Sequence, residues 1–131
     1  MSPPRNRVWY CLATVGVIAA GLASRRFPSL LPAALGKYPG DALWAVMVYL
    51  GWGVVLPKAS GLRVALLAAV CCAGIEFLKL WPAPWLVELR HTTLGHLVFG
   101  HVFSWANLLA YLLGILTAFA IELVIHLRRT E

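Results

Sequence analysis

Residues 102–127 read VFSWANLLAYLLGILTAFAIELVIHL and carry no charged side chain before Glu122. A helix needs about 20 mostly apolar residues to cross the hydrocarbon of a bilayer, so this stretch predicts a transmembrane helix. Arg128 and Arg129 close it. Three further apolar runs precede it: residues 8–23 between Arg7 and Arg25-Arg26, residues 42–56 between Asp41 and Lys58, and residues 62–81. The third run has Arg63 near its start and Glu76 and Lys79 near its end. The first two are short for a span, and flanking turns or snorkelling must extend them. The pattern predicts an all-α chain, a membrane-embedded four-helix bundle. It forms a single transmembrane domain over residues 1–131, with spans at about 8–24, 41–57, 62–81 and 103–126.

Composition agrees with that reading. Apolar residues make up 61% of the chain and charged residues 12%, too little polar surface to cover a water-facing domain. The net charge of +6 is spread in pairs between the apolar runs and forms no Lys/Arg block with interleaved aromatics. It therefore fits topology signals and lipid headgroups, and nucleic acid is excluded as a partner. Cys11, Cys71 and Cys72 all lie inside apolar runs; the adjacent pair points apart on a helix and reads as small buried hydrophobes.

The first run resembles a signal peptide in its basic start and small-residue end, but Arg25-Arg26 follow at once and resist translocation, so it is read as a retained span. Lys and Arg number six on one side of the spans (Arg5, Arg7, Lys58, Arg63, Arg128, Arg129) and five on the other. This bias places both termini in the cytoplasm. The outer connections are not plain loops. Residues 27–40 are broken by Pro28, Pro32, Pro39 and two glycines. The second connection predicts a short helix from Pro84 to about Arg90, with Trp85, Leu86 and Leu89 on one side, before an apolar stretch at residues 94–103. Both connections are expected to be interfacial or re-entrant, because bare loop backbone cannot face lipid. Tyr38, Trp81, Trp85 and Trp105 would make an outer aromatic belt, and Trp9 and Tyr10 an inner one.

The chemistry-bearing residues gather at the outer face. Ionisable groups within a span are costly and usually have partners. Helical phase puts Ala65, Ala69, Cys72, Ala73 and Glu76 on one small-residue face, so Glu76 points into protein with Lys79 beside it. On the last helix Asn107, Tyr111, Gly114 and Ala118 share a face, Ser104 is placed as N-cap, and Asn107 stands at N3, close to a capping box. Asp41, after Pro39-Gly40, is placed as the N-cap of the second helix. Glu122 and His126 read as a plain i, i+4 pair near a helix end. The candidate ligand-binding set is Arg26, Lys37, Asp41, Glu76, Lys79, Arg90, His91 and Asn107. His91, His96 and His101 recur every five residues, which is not one helix face, and no acidic ligand accompanies them. No metal site or cofactor is expected.

These residues also carry a resemblance. Lys37-Tyr38-Pro39-Gly40-Asp41-Ala42-Leu43-Trp44, Glu76-Phe77, Ala83-Pro84-Trp85-Leu86, Arg90, Thr93-Leu94-Gly95-His96 and Phe103-Ser104-Trp105 resemble an uncharacterised bacterial family of small membrane proteins, over roughly residues 20–114. More distantly, Glu76 three before a polar residue, the later Arg90 and the polar start of the last helix resemble the VanZ family, which is associated with teicoplanin resistance. The resembled pattern carries Gln at the position of Lys79 and Asp at that of Asn107. Both departures make the cluster more positive and favour an anion as ligand.

The expected function is a multi-pass membrane protein that binds an anionic lipid headgroup or phosphate-bearing envelope precursor at the outer leaflet. Arg26, Lys37 and Arg90 would supply charge-assisted donors. An enzyme on a lipid-linked phosphate is the alternative, with Glu76 or Asp41 as base and His91 as acid–base partner, although the chain carries no nucleophile motif, metal-ligand set or phosphate loop. A transporter would need a homo-oligomer to enclose a path, and a structural subunit would use the polar residues only to hold the helices together.

Overall fold

The computed structural model describes residues 5–26, 38–81, 83–93 and 104–129. Among these, all regular structure is helical, in five helices: α1 Arg7–Arg26, α2 Tyr38–Val55, α3 Gly61–Leu78, α4 Pro84–His91 and α5 Trp105–Arg129. Each long helix grows from one of the apolar runs. Ser60 caps α3, its hydroxyl accepting from the Arg63 N–H at 3.2 Å. Pro84 starts α4, where a missing N–H costs nothing. Two helical stretches, Gly61–Leu78 and Trp105–Leu127, are long and apolar enough to cross a membrane; Arg7–Ala23 and Gly40–Val55 are shorter apolar segments.

α2 is the hub. It packs against α1, α3 and α5, and α3 also packs against α5. The core is thin and built from small or slender side chains: Ala45, Val64, Ala68, Cys72, Ile115 and Ala118, with Tyr49 and Tyr111 spanning between helices. The buried face of α3 runs Val64, Ala68, Cys72, Glu76, an i, i+4 ladder. The expected stripe through Ala65 and Ala69 is thus turned by one position, and those two alanines flank the core. On α5 the expected face is the buried one, with Ala110 and Ile115 added. Cys11, expected to be buried, is exposed, whereas Cys72 is buried; all three thiols are free.

α2 and α5 approach closely at Gly114, where an added Cβ would lie 2.3 Å from the Ala42 carbonyl oxygen. Only a residue without a side chain admits that approach. It draws the start of α2 against α5 and sets Asp41 beside the upper turns of α5. Asp41 lies inside the first turn of α2, which begins at Tyr38, so the expected N-cap placement is one turn too late. A carboxylate there still favours the helix dipole.

The opposite end of the helices is tied by a residue that precedes α1. Arg5 donates to both carboxylate oxygens of Glu122, Nε to Oε2 and Nη2 to Oε1, each at 2.8 Å. Its Nη1 donates to the carbonyls of Leu56, Pro57 and Ala59 in the α2–α3 turn, at 3.2, 3.3 and 2.6 Å. The Tyr49 hydroxyl donates to Glu122 Oε1 at 2.9 Å, and the Tyr10 hydroxyl to Oε2. The plain Glu122–His126 pair of the sequence reading is therefore replaced by a four-residue knot. Its main cause is burial, since a carboxylate inside apolar helices must find donors wherever the chain can supply them. The Glu122 bond raises the Arg5 pKa above its already high ordinary value, so the guanidinium stays charged. Arg5→Ala is expected to cost about 2 kcal/mol, as a lost charge-assisted pair. It should also speed amide exchange at Leu56, Lys58 and Ala59; unchanged exchange there would contradict the clamp.

Candidate functional site

The site lies at the end opposite Arg5, where α2 begins, α3 ends and α5 begins. Its centre is Glu76, fully buried in the last turn of α3. Four donors converge on its carboxylate. Oε1 accepts the Ser104 backbone N–H at 2.8 Å and the Asn107 amide at 3.0 Å. Oε2 accepts Lys79 Nζ at 2.8 Å and the Tyr111 hydroxyl at 3.1 Å. Each donor has a local reason to be there. Lys79 follows Glu76 by three residues and so sits beside it at the end of the same helix. Asn107 and Tyr111 stand one turn apart on the α5 face that packs on α3.

Ser104 holds the N-cap position of α5, and its carbonyl accepts from the Asn107 N–H at 3.1 Å. In a capping box the N3 side chain would reach back to the N-cap N–H. Here Asn107 turns to Glu76 instead, and Glu76 takes the Ser104 N–H from another helix. One carboxylate thus caps α5 from α3 and meets the positive end of its dipole. Burying it is tolerable because its charge and both oxygens are satisfied.

Arg90 is built differently. It lies on the buried face of α4 with Leu86, one turn before it, while Trp85 and Leu89 are exposed. The expected Trp85–Leu86–Leu89 side is corrected accordingly: α4 turns its i, i+4 pair inward, because the guanidinium reaches the end of α3. There an Nη donates to the Leu78 carbonyl at the C-terminus of α3, which also accepts the Trp81 N–H at 3.0 Å. Arg90 is 6% exposed, yet among the described residues no carboxylate pairs with it, and its Nε is buried without a partner. Asn107 Oδ1 and Trp44 Nε1 are likewise buried and unbonded among the described residues.

Of the expected set, Asp41, Glu76, Arg90 and Asn107 are buried at this end, and Lys79 joins them through Glu76. His91 is exposed. The side chain of Arg26, together with Lys37, His96 and His101, lies outside the described residues. Among the described residues no group of three or more His, Cys, Asp or Glu could hold a metal. Tyr111 and the Ser104 backbone are site members that the sequence reading placed nearby without giving them a role. Their signal was the phase of α5, which carries a tyrosine one turn from Asn107.

Residues 30–115, well over half of the chain, match the model of a family described as protein of unknown function (DUF2809). No solved structure matches the chain.

Proposed function

The chain belongs to the DUF2809 family of unknown function, and we propose that it is a multi-pass membrane protein that binds an anionic lipid headgroup or a phosphate-bearing envelope precursor. In this reading the four long helices form a bundle in a bacterial inner membrane, with the Arg5 end cytoplasmic and the Glu76 end at the outer leaflet. Three features support it. Only 22% and 28% of the two spanning windows are buried, whereas a core helix of a soluble domain is mostly covered. Large apolar side chains such as Leu12, Val15, Val70, Leu113 and Leu116 point outward along the helix lengths. Exposed Trp81, Trp85 and Trp105 ring the Glu76 end, as aromatic belts do at a membrane surface. The distant resemblance to VanZ fits the same setting.

The observation that carries the ligand class is Arg90. Among the described residues no carboxylate pairs with this buried cation, and an anion reaching it offsets the cost of burying it. Glu76 cannot supply the counter-charge, since both of its oxygens are taken by four other donors. The same saturation argues against Glu76 as a general base, which needs an open oxygen toward substrate. Arg90 Nε and Asn107 Oδ1 remain to meet a phosphate and its neighbouring hydroxyl.

The test is titration of the detergent-solubilised chain with water-soluble glycerol phosphate, a headgroup without a tail. Arg90→Ala is expected to weaken binding by about 10- to 100-fold, the worth of one charge-assisted hydrogen bond. Arg90→Lys should recover only part, because an ammonium lacks the planar fork. Equal affinity in all three proteins would end this reading.

A further inference from the structure

The knot at the opposite end borders a cavity that the headgroup site does not use. α1 packs on α2 and α2 on α5, but α1 and α5 scarcely touch, and the cavity fills the gap between them. Its volume is about 630 Å³, within the range of ligand pockets. The walls are apolar: Ala13 and Trp9 from α1, Leu50 and Val46 from α2, Phe119 and Leu123 from α5. The polar end is different in kind. Arg5, Asn6, Tyr10, Tyr49, Glu122 and His126 meet there. The only acid among them, Glu122, is consumed by Arg5 and two tyrosines. Around the same end stand three exposed cations: Arg7, whose Nε donates to the Val54 carbonyl at 3.0 Å, and Lys58 and Arg63 at the α2–α3 turn. An apolar slot under a surplus of positive charge is complementary to a molecule with a hydrocarbon tail and an anionic head.

We infer that this cavity holds one anionic phospholipid, an acyl chain lying between α1 and α5 and the phosphate facing Arg7, His126 and the basic turn. The inference rests on the membrane reading above and is independent of the headgroup site at Arg90. A lipid there completes the packing of α1, which packs mainly on α2 and reaches α5 through the Tyr10–Glu122 hydrogen bond. Its chain supplements the few contacts that α1 and α5 make with each other, so it belongs to the folded protein and is not a passing neighbour.

The experiment is native mass spectrometry of the full chain in detergent, with phosphatidylglycerol and phosphatidylcholine added separately. One phosphatidylglycerol is expected to be retained about tenfold more tightly than phosphatidylcholine, from the charge at the mouth. Ala13→Trp fills the slot from the exposed face of α1, and Leu50→Phe narrows it from α2; each should weaken retention by about tenfold or more, by excluding tail methylenes. Two variants on different helices separate a filled slot from a misfolded chain. Arg90→Ala should leave this retention unchanged while it loses glycerol phosphate binding, so the two readings fail independently. Equal retention of the two lipids, unaltered retention in both filled variants, or loss of it in Arg90→Ala would overturn the inference.

Discussion

Glu76→Gln is expected to destabilise the folded chain by about 3–5 kcal/mol, the cost of breaking a buried, hydrogen-bonded ion pair from one side. Gln keeps the shape and one acceptor oxygen, but its amide nitrogen donates where Glu76 accepts. Either Ser104 N–H and Asn107, or Lys79 and Tyr111, then face a donor in place of an acceptor. Lys79, whose side chain is 6% exposed, loses this carboxylate while buried. The start of α5 loses the anion that capped it. A denaturant titration in detergent, followed by helix content, reads the loss. Adding Lys79→Gln to Glu76→Gln restores charge balance but not the two hydrogen bonds to α5, so it should recover only part. Full recovery would mean that charge alone holds this end together, as in a purely structural subunit. A loss under 1 kcal/mol in the single variant would mean that the convergence on Glu76 is not what joins α3 to α5.

Gly114→Ala is the second large expected effect, at about 3 kcal/mol, the upper range for forcing extra volume into a packed interior. The new methyl would meet Ala42 backbone at 2.3, 3.0 and 3.1 Å, to its carbonyl oxygen, carbonyl carbon and Cα. Backbone cannot rotate aside as a side chain can, so α2 and α5 must separate. Tyr111 stands three residues before Gly114 on the same buried face, and separation pulls its hydroxyl away from Glu76. The stability loss and weakened glycerol phosphate binding should therefore appear together in one variant if the proposed site is the binding site. Gly74→Ala is the control. Its Cβ meets nothing within 4 Å, and the gain in helix propensity makes it neutral or stabilising by up to about 1 kcal/mol. Similar losses in both variants would show that the α2–α5 approach has no special role.

Much of this arrangement is legible in the amino-acid sequence. The apolar runs predicted the four long helices, and Pro84 predicted α4, because a proline start and an apolar run are local signals. Helix phase put Glu76 into the protein and Asn107 with Tyr111 on one face of α5, since 3.6-residue periodicity needs no partner to be read. Phase was less exact for α3, where a run of alanines and cysteines leaves several equally small faces to choose from. It misjudged α4, because eight residues carry too little periodicity to outweigh one buried guanidinium. The outer connections at residues 27–37 and 94–103 lie outside the described residues.

What the sequence determined by itself is the secondary structure: the four apolar runs demand helices, and a chain that is 61% apolar has little polar surface. It also determined that the charges inside those runs must be paired, because burying a charge alone is too costly. Apart from the local Glu76–Lys79 pair, which groups pair was decided only by tertiary structure. Glu122 meets Arg5 across 117 positions, and Glu76 caps a helix that starts 29 positions later. Such partners follow from how helices cross and where Gly114 lets them touch, and distance along the chain holds no record of that.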